Sequence, residues 1–420
     1  MKALLSIGLL LWASLAAAAD PVTLRYWSFL DPASSDPRSI AQTQMINAFT
    51  AANPDVAVKV EVVHWSKMVP LLVTAAGANQ APDIALIHYT RIPEAVESGA
   101  VIPIDRFVDA LPKSSLDDFL LPLDKTKYKG HLYSISVEHR IEGMLFYRKD
   151  LWDTAGLQQQ PKTWEELARY SKKLNQPPVW GFVWALSRKD AAANVKILQP
   201  LYWSAGGDFY KPDGSAAVNS PVGVQIAKTI SGLAFVDKTM PAYVVGVEEA
   251  RSMMKGGTTA MFVEGTQIFQ SVRASKTVGN NLFTMPLPAL SEAAYPPPAF
   301  VTGQTLAITK DAKDPGAAWR FVQFMTGPQA QLISAKVGLN MPVRKSIFSD
   351  PWFATSEGKV ITEWKDYVVA KGRSPEQNML SDFMSDSLGL AYEEILTGRK
   401  DPKSALDQAA ARYNERKAKN

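Results

Sequence analysis

Residues 137–174 decide the fold, and they read VEHRIEGMLFYRKDLWDTAGLQQQPKTWEELARYSKKL. The charged segment 138–140 leads into 143–148, GMLFYR, a short apolar run that is typical of a buried strand. Thr163 is followed three residues later by Glu166, which is the spacing of a capping box and predicts a helix that begins directly after Thr163. The stretch therefore predicts a strand followed by a helix, the repeating unit of an α/β protein.

Strand and helix patterns also alternate before this stretch. Residues 22–27 and 58–62 alternate apolar and polar side chains, 84–87 is an apolar run, and 42–52 has apolar residues at helical spacing. This order predicts an α/β unit with a largely parallel sheet. Ligands in such sheets bind outside the carboxyl ends of the strands, so the loops after these strands are candidate ligand loops.

Three strings within 137–174 resemble the carbohydrate-type extracellular solute-binding proteins of ABC importers: LFYRKDL (145–151), AGL (155–157) and PKTWEEL (161–167). The resemblance implies an α/β, two-lobed periplasmic binding protein of type II, with discontinuous lobes and a hinge. The string GLNMPVR (338–344) resembles the last hinge crossing of the same family. Arg148 is a departure, because the family usually has Asn there.

From this resemblance we expect two lobes of two segments each and three crossings between the lobes, all of which follow an amino-terminal signal peptide that the first residues themselves indicate. The expected boundaries are 1–19 for the signal peptide, 20–137 plus 303–340 for the first lobe, 141–300 plus 345–420 for the second, and crossings near 137–141, 300–303 and 340–345.

Composition and the amino terminus indicate where the protein works. Lys2, the apolar run 3–15 and the alanines 17–19 form a secretory signal, and we expect cleavage after Ala19. The 420 residues include no cysteine, which excludes disulfides, Cys-ligated zinc and a lipid anchor on cysteine. We therefore expect an exported, unlipidated, monomeric protein of the periplasm. The net charge of +4 comes without a concentrated basic run, so nucleic acid is not an expected partner.

The sequence contains no motif that indicates catalysis. Its four histidines lack helical metal-ligand spacing, and G-x-S-x-G, P-loop and G-x-G-x-x-G motifs are absent, so we expect no metal, no cofactor and no enzyme activity. A glycosidase pair of carboxylates is recognised by its separation in space, and an exported carbohydrate-active enzyme therefore stays an alternative.

Sugars are bound by aromatic faces that cover the ring and by planar polar groups that pair with hydroxyls. Positions that match the family's ligand loops, crossings and second-lobe contacts supply sixteen candidates: Trp27, Asp31, Trp65, His88, Thr90, Arg91, Glu138, His139, Arg140, Trp184, Asn194, Trp203, Glu264, Gly303, Gln304 and Arg344.

Several candidates have a structural alternative that the sequence leaves open. The tryptophans can belong to the core, and Asp31 before a proline can be a turn residue. The charged residues 138–140 can form a salt bridge between the lobes, and Asn194 can cap a helix.

The resemblance implies a protein that captures a mono- or oligosaccharide, or a polyol, and delivers it to the membrane permease of an ABC importer. The eleven tryptophans and the mixture of acidic and basic candidates favour a neutral sugar. An anionic sugar derivative or glycerol phosphate is the alternative, as is a sensor subunit that binds the same ligand for a receptor.

Overall fold

The computed structural model describes residues 21–188 and 191–419, without the side chains of 124–125 and 191–197. The expected signal peptide and its cleavage after Ala19 lie outside the described residues. Within the described ranges, no helix is long and apolar enough to cross a membrane.

The described residues form twelve strands, which are in chain order β1 (Val22–Ser28), β2 (Val56–Val62), β3 (Ile84–His88), β4 (Ser134–Ser136), β5 (Arg140–Glu142), β6 (Met144–Arg148), β7 (Val183–Trp184), β8 (Met261–Glu264), β9 (Leu282–Pro286), β10 (Ala299–Thr302), β11 (Gln304–Ile308) and β12 (Gly372–Arg373).

They also form sixteen α-helices, which are α1 (Pro37–Ala52), α2 (Met68–Gly77), α3 (Ile92–Glu97), α4 (Asp105–Val108), α5 (Lys113–Asp117), α6 (Lys149–Thr154), α7 (Trp164–Leu174), α8 (Ala191–Ser204), α9 (Pro221–Phe235), α10 (Val247–Lys255), α11 (Phe269–Arg273), α12 (Pro315–Met325), α13 (Pro328–Gly338), α14 (Ser356–Lys371), α15 (Ser381–Leu396) and α16 (Pro402–Lys417).

The first lobe is built on a five-stranded sheet of order β2-β1-β3-β11-β4. β1 runs parallel to β2 and β3, and β11 is antiparallel to both β3 and β4. Apolar residues cover both faces: Tyr26 and Leu86 pack in the core that includes α1 and α12, whereas Ile87 packs with α2 in a separate core. Because both faces of the sheet are covered, a ligand can reach it at the ends of its strands and not on its faces.

The second lobe is built on a four-stranded sheet of order β7-β8-β6-β9. Helices α15 and α16 pack on one face of this sheet and α14 packs on the other, with Trp364 of α14 donating its indole N–H to Thr284 Oγ1 at 3.0 Å. Helix α7 begins with the predicted capping box, in which the Thr163 and Glu166 side chains each accept from the other's backbone N–H.

A separate sheet of order β12-β10-β5 carries the chain between the lobes. Thr302 of β10 lies opposite Arg140 of β5, and the backbone N–H of His139 donates to Met341 of the last crossing at 2.9 Å. Gly303 packs so closely here that a Cβ would collide with the carbonyl oxygen of Glu138. The predicted fold class is thus confirmed: two α/β lobes joined by adjacent crossings.

Candidate ligand-binding site between the lobes

Residues from distant parts of the chain meet at one edge of the first sheet. His88 ends β3 and lies opposite Gln304, the first residue of β11, while Ser28 ends β1 at the same edge. The imidazole Nδ1 of His88 is 2.9 Å from Thr90 Oγ1, which positions the loop after β3. The crossings leave from this edge, so His88, Thr90 and Gln304 lie close to the junction with the second lobe.

A buried ionic cluster, which we call the hinge triad, consists of Arg38, Glu138 and Arg140. Arg38 Nη2 donates to both carboxylate oxygens of Glu138 at 3.0 and 3.2 Å, and Arg140 Nε donates to Oε1 at 2.6 Å. The side chains are only 14, 8 and 7 % exposed. Burial opposes ionisation of Glu138, but the two guanidinium groups outweigh it and lower its pKa.

Arg38 is a site residue that sequence reasoning missed. It lies in the first turn of α1, after Asp36 has capped the helix, and 100 residues separate it from Glu138. Its Nε is buried and has no acceptor among the described residues. One feature of the sequence could have indicated that Arg38 is a site residue. It follows the loop after the first strand, and in α/β sheets such loops bind ligands and lead into a helix.

The second lobe contributes Glu264, which ends β8 and is 8 % exposed. Its carboxylate accepts from Arg251 Nε at 2.9 Å and from Gln267 Nε2 at 3.4 Å. Gln267 Oε1 is buried without a hydrogen-bond partner in the described part of the chain. The lobe thus presents a balanced ion pair beside an unused acceptor.

Arg91 reaches both lobes. Its Nη2 is 2.5 Å from Glu94 of its own lobe, and its Nε is 3.3 Å from Asp382 at the start of α15. We call Arg91 and Asp382 the interlobe pair. Its position shows that the loop after β3, which the sequence predicts as a candidate ligand loop, faces the second lobe.

Trp65 and Trp27, the two predicted stacking residues, have different environments. Trp65 follows β2 and is 50 % exposed, so its face is free to cover a ligand. Trp27 is half-buried among the residues that pack on α2, and its indole N–H donates to Glu61 at 2.8 Å. Asp31 is exposed, and its carboxylate accepts from Ala33 N at 2.8 Å, which is the turn role that the sequence left open.

Two predicted contacts are corrected by the structure. Trp184 is 1 % exposed and stacks on Trp164 with centroids 5.3 Å apart, so it belongs to the second lobe's core. Arg344 is 3 % exposed, donates to the backbone oxygens of Thr326 and Ser115 at 2.6 Å each, and covers the ring of Phe119. Both side chains are engaged inside the protein and have no surface to offer a ligand.

The remaining predicted residues either lie beside the site or have side chains that the structure does not describe. Trp203 is 7 % exposed and donates its indole N–H to Asp208 at 2.8 Å. Gly303 has no side chain, which allows two crossings to pack closely against each other. The side chain of His139 faces away from the hinge triad. The side chain of Asn194 lies outside the described residues. In the described ranges, no group of three or more His, Asp or Glu residues could hold a metal ion.

A fold of two lobes with buried polar groups at their junction is the architecture of a solute-binding protein, and the comparison with known families agrees. Residues 34–332 match the family described as bacterial extracellular solute-binding protein. The chain belongs to this family.

Individual relatives are distant but cover much of the chain. The galactooligosaccharide-binding protein of Bacillus subtilis is 26 % identical over 365 residues, which are 85 % of this chain and 82 % of that protein. A relative from Brucella abortus, described as a binding protein, is 23 % identical over 288 residues, 66 % of each chain. The match thus spans just under two thirds of the length of the Brucella abortus relative.

Solved structures share the fold over nearly the whole chain. A maltose-bound protein of T. maritima matches with a TM-score of 0.82 at 21 % identity, covering 94 % of this chain and 99 % of that one. A solute-binding protein from Thermotoga lettingae bound with α-D-tagatose matches with a TM-score of 0.79 at 20 % identity and the same coverage of both chains.

Proposed function

We propose that this protein captures a neutral sugar or polyol between its lobes and delivers it to the permease of an ABC importer. One observation carries the proposal: Arg38 Nε and Asn340 Oδ1 are buried, lack a hydrogen-bond partner in the described chain, and line the same small cavity beside Glu138 and Gln304. Gln267 Oε1, which is next to Glu264 in the second lobe, is also buried without a partner there. An unsatisfied buried polar group costs ~1–3 kcal/mol, and a ligand rich in hydroxyl groups can both donate to and accept from such atoms.

The neutral character of the ligand is supported by the pairing of charges at the junction. Arg251 is paired with Glu264, Arg91 with Glu94 and Asp382, and the two arginines of the hinge triad share Glu138. Trp65, which follows β2 of the first lobe, provides an exposed aromatic face that can cover a sugar ring. Two of the similar solved proteins are bound to maltose and to α-D-tagatose, which agrees with a sugar ligand.

The family membership also supports the other parts of the proposal. We propose an exported, monomeric binding protein of the periplasm that leaves its ligand chemically unchanged. We also propose the lobe boundaries 20–137 plus 303–340 and 141–300 plus 345–420, because β4 and β11 belong to the first sheet whereas β6 to β9 belong to the second.

A thermal-shift screen against neutral sugars, polyols, sugar acids and glycerol phosphates tests the ligand class. A ligand at 100 times its dissociation constant stabilises the folded state by roughly 2.7 kcal/mol. We expect the best hit to be neutral, its affinity to change little between low and high salt, and mass spectrometry to show no product. A sugar acid or glycerol phosphate as the best hit, a strong salt dependence or turnover would contradict the proposal.

Trp65→Ala localises the site, and Tyr243→Ala is the matched control, because Tyr243 is a similarly exposed aromatic residue of the second lobe at 47 %. Loss of a stacking face weakens binding by ~1–3 kcal/mol, on the scale of base stacking on aromatic residues. Equal affinities of the two variants in calorimetry would remove Trp65 from the site.

A further inference from the structure

Glu138 and His139 are neighbours in the chain, but their side chains lie on opposite faces of the crossing segment. Alternation of this kind is a property of extended backbone. Glu138 belongs to the hinge triad, whereas His139 lines a separate cavity of about 670 Å³. Tyr89 and Ser136 line the same cavity, and they follow β3 and end β4.

Both lobes provide walls for this cavity. The first lobe contributes residues of 119–129, and the second contributes 372–377, the segment that joins α14 to α15. Two contacts close the walls together: Gln377 Nε2 donates to the Thr126 oxygen at 3.4 Å, and the Tyr89 hydroxyl donates to the Pro375 oxygen at 3.5 Å.

The cavity is distinct from the proposed sugar site. Of the fifteen predicted residues whose side chains the structure describes, only His139 lines it. Its described lining also includes neither Glu264, at the carboxyl end of β8, nor any residue of the hinge triad. The cavity therefore lies on the other side of the crossing segment from Glu138 and Arg38.

The walls are mainly apolar with a few unused polar groups. Phe119, Leu121 and Val343 provide apolar surface. His139 is 8 % exposed, its side chain makes no hydrogen bond to any described residue, and burial lowers its pKa to about 4, which leaves it neutral with one donor and one acceptor. The Oε1 atom of Gln377 is buried and also lacks a partner in the described chain.

Charges around the cavity balance. Arg373 pairs with Asp208 at 2.6 Å and Lys129 pairs with Glu97 at 2.5 Å. The other two charged residues with described side chains in the lining, Lys127 and Glu376, are exposed and of opposite sign. The cavity thus offers no net charge to attract an ion.

We propose that this cavity is a second small-molecule site, for an uncharged amphiphile with an apolar body and a hydroxyl group. The apolar walls take the body, and His139 and Gln377 take the hydroxyl. Because the walls come from both lobes, a bound amphiphile acts on the same lobe equilibrium as the sugar, and the coupling of the two affinities is reciprocal. The coupling rests on the proposed function; the site itself does not.

Titration with 2-naphthol in the absence of sugar tests the site. Two matched probes serve as controls: naphthalene, which lacks the hydroxyl group, and 2-naphthoate, which carries a negative charge. We expect saturable binding of 2-naphthol at one site per chain, and about tenfold weaker binding of the other two, the scale of one hydrogen bond. Equal affinity for all three probes, or binding that does not saturate, would overturn the proposal.

Variants locate the probe. Leu121→Trp fills the cavity from the first lobe and is expected to abolish 2-naphthol binding, whereas Leu71→Trp, at a leucine that is 46 % exposed, leaves it unchanged. His139→Leu and Gln377→Met are each expected to reduce the preference for 2-naphthol over naphthalene. Unchanged binding to Leu121→Trp would place the probe elsewhere and refute the site. These titrations contain no sugar. They therefore test the second site even if the proposed sugar-binding function is wrong.

Discussion

The guanidinium of Arg91 in the first lobe lies 3.3 Å from the carboxylate of Asp382 in the second, although 291 residues separate the two in the chain. Arg91 keeps a second partner, Glu94, within its own lobe. The contact with Asp382 joins the two lobes, so it stabilises the arrangement in which the lobes lie together. Its contribution is open to measurement.

Asp382→Asn removes the interlobe pair and leaves Arg91 bound to Glu94. Asp382 is 49 % exposed, so the pair contributes at most about 1 kcal/mol, and sugar affinity should fall by a factor of roughly 2–5. High salt should reduce the difference between variant and parent. Asp366→Asn is the control, since Asp366 pairs with Lys365 inside one lobe. If both variants bind equally, the pair does not support closure.

Glu138→Gln removes the only carboxylate that the hinge triad shares. Two largely buried guanidinium groups then face each other without a counter-charge, and we expect a loss of roughly 3–5 kcal/mol in the free energy of unfolding, measured by denaturant titration. Glu165→Gln is the matched change at a carboxylate that is 87 % exposed and should alter stability by about 0.5 kcal/mol or less. A small effect at Glu138 would show that water reaches the triad.

His139 predicts a pH dependence. Its pKa is lowered to about 4 by burial, while the unfolded chain titrates near the ordinary value of 6.5. Between these values the unfolded state binds a proton that the folded state refuses, so stability falls as the pH falls from about 6.5 to 4, by up to about 3 kcal/mol. His139→Leu should remove this part of the slope, and the same change at exposed His64 should retain it. Identical slopes in both variants would contradict the burial of a neutral imidazole.

Two tryptophans should respond in opposite ways. Trp184→Ala empties a stacked position in the core and should destabilise the protein by roughly 3–5 kcal/mol. Trp65→Ala removes an exposed ring and should change stability by no more than about 0.5 kcal/mol, while it weakens sugar binding. Melting curves and calorimetry on the same preparations distinguish the two, and a collapse of the melting temperature in Trp65→Ala would assign that residue to the core.

Local features were predictable from the sequence because their causes are local. The capping box at Thr163 and the start of α12, where Asp314 accepts from Ala317 N at 2.9 Å, depend on residues within one helical turn. The α/β class followed from the alternation of strand and helix patterns, and the resemblance to the family supplied the hinge crossings.

The site was less predictable because its geometry depends on contacts between distant residues. Nothing near Arg38 in the chain indicates that Glu138 will accept from it, and Trp184 has the same local pattern whether it stacks on Trp164 or faces a ligand. The division of Glu138 and His139 between two faces follows from extended backbone, yet which face carries the sugar depends on how the lobes pack. Periodicity describes neighbours in the chain and contains no information about such pairs.

The interior position of β11 in the first sheet, between β3 and β4, has a consequence for how the molecule assembles. β11 pairs with both β3 and β4, and the Thr305 hydroxyl bonds to the oxygen of Ile87, 218 residues earlier. Every strand of the second sheet precedes β11 in the chain. A chain that emerges from its amino terminus can therefore complete the second sheet while the first still has a gap. Closing that gap requires a long loop to form, which slows folding, so the sheet that begins the chain is the later of the two to be completed.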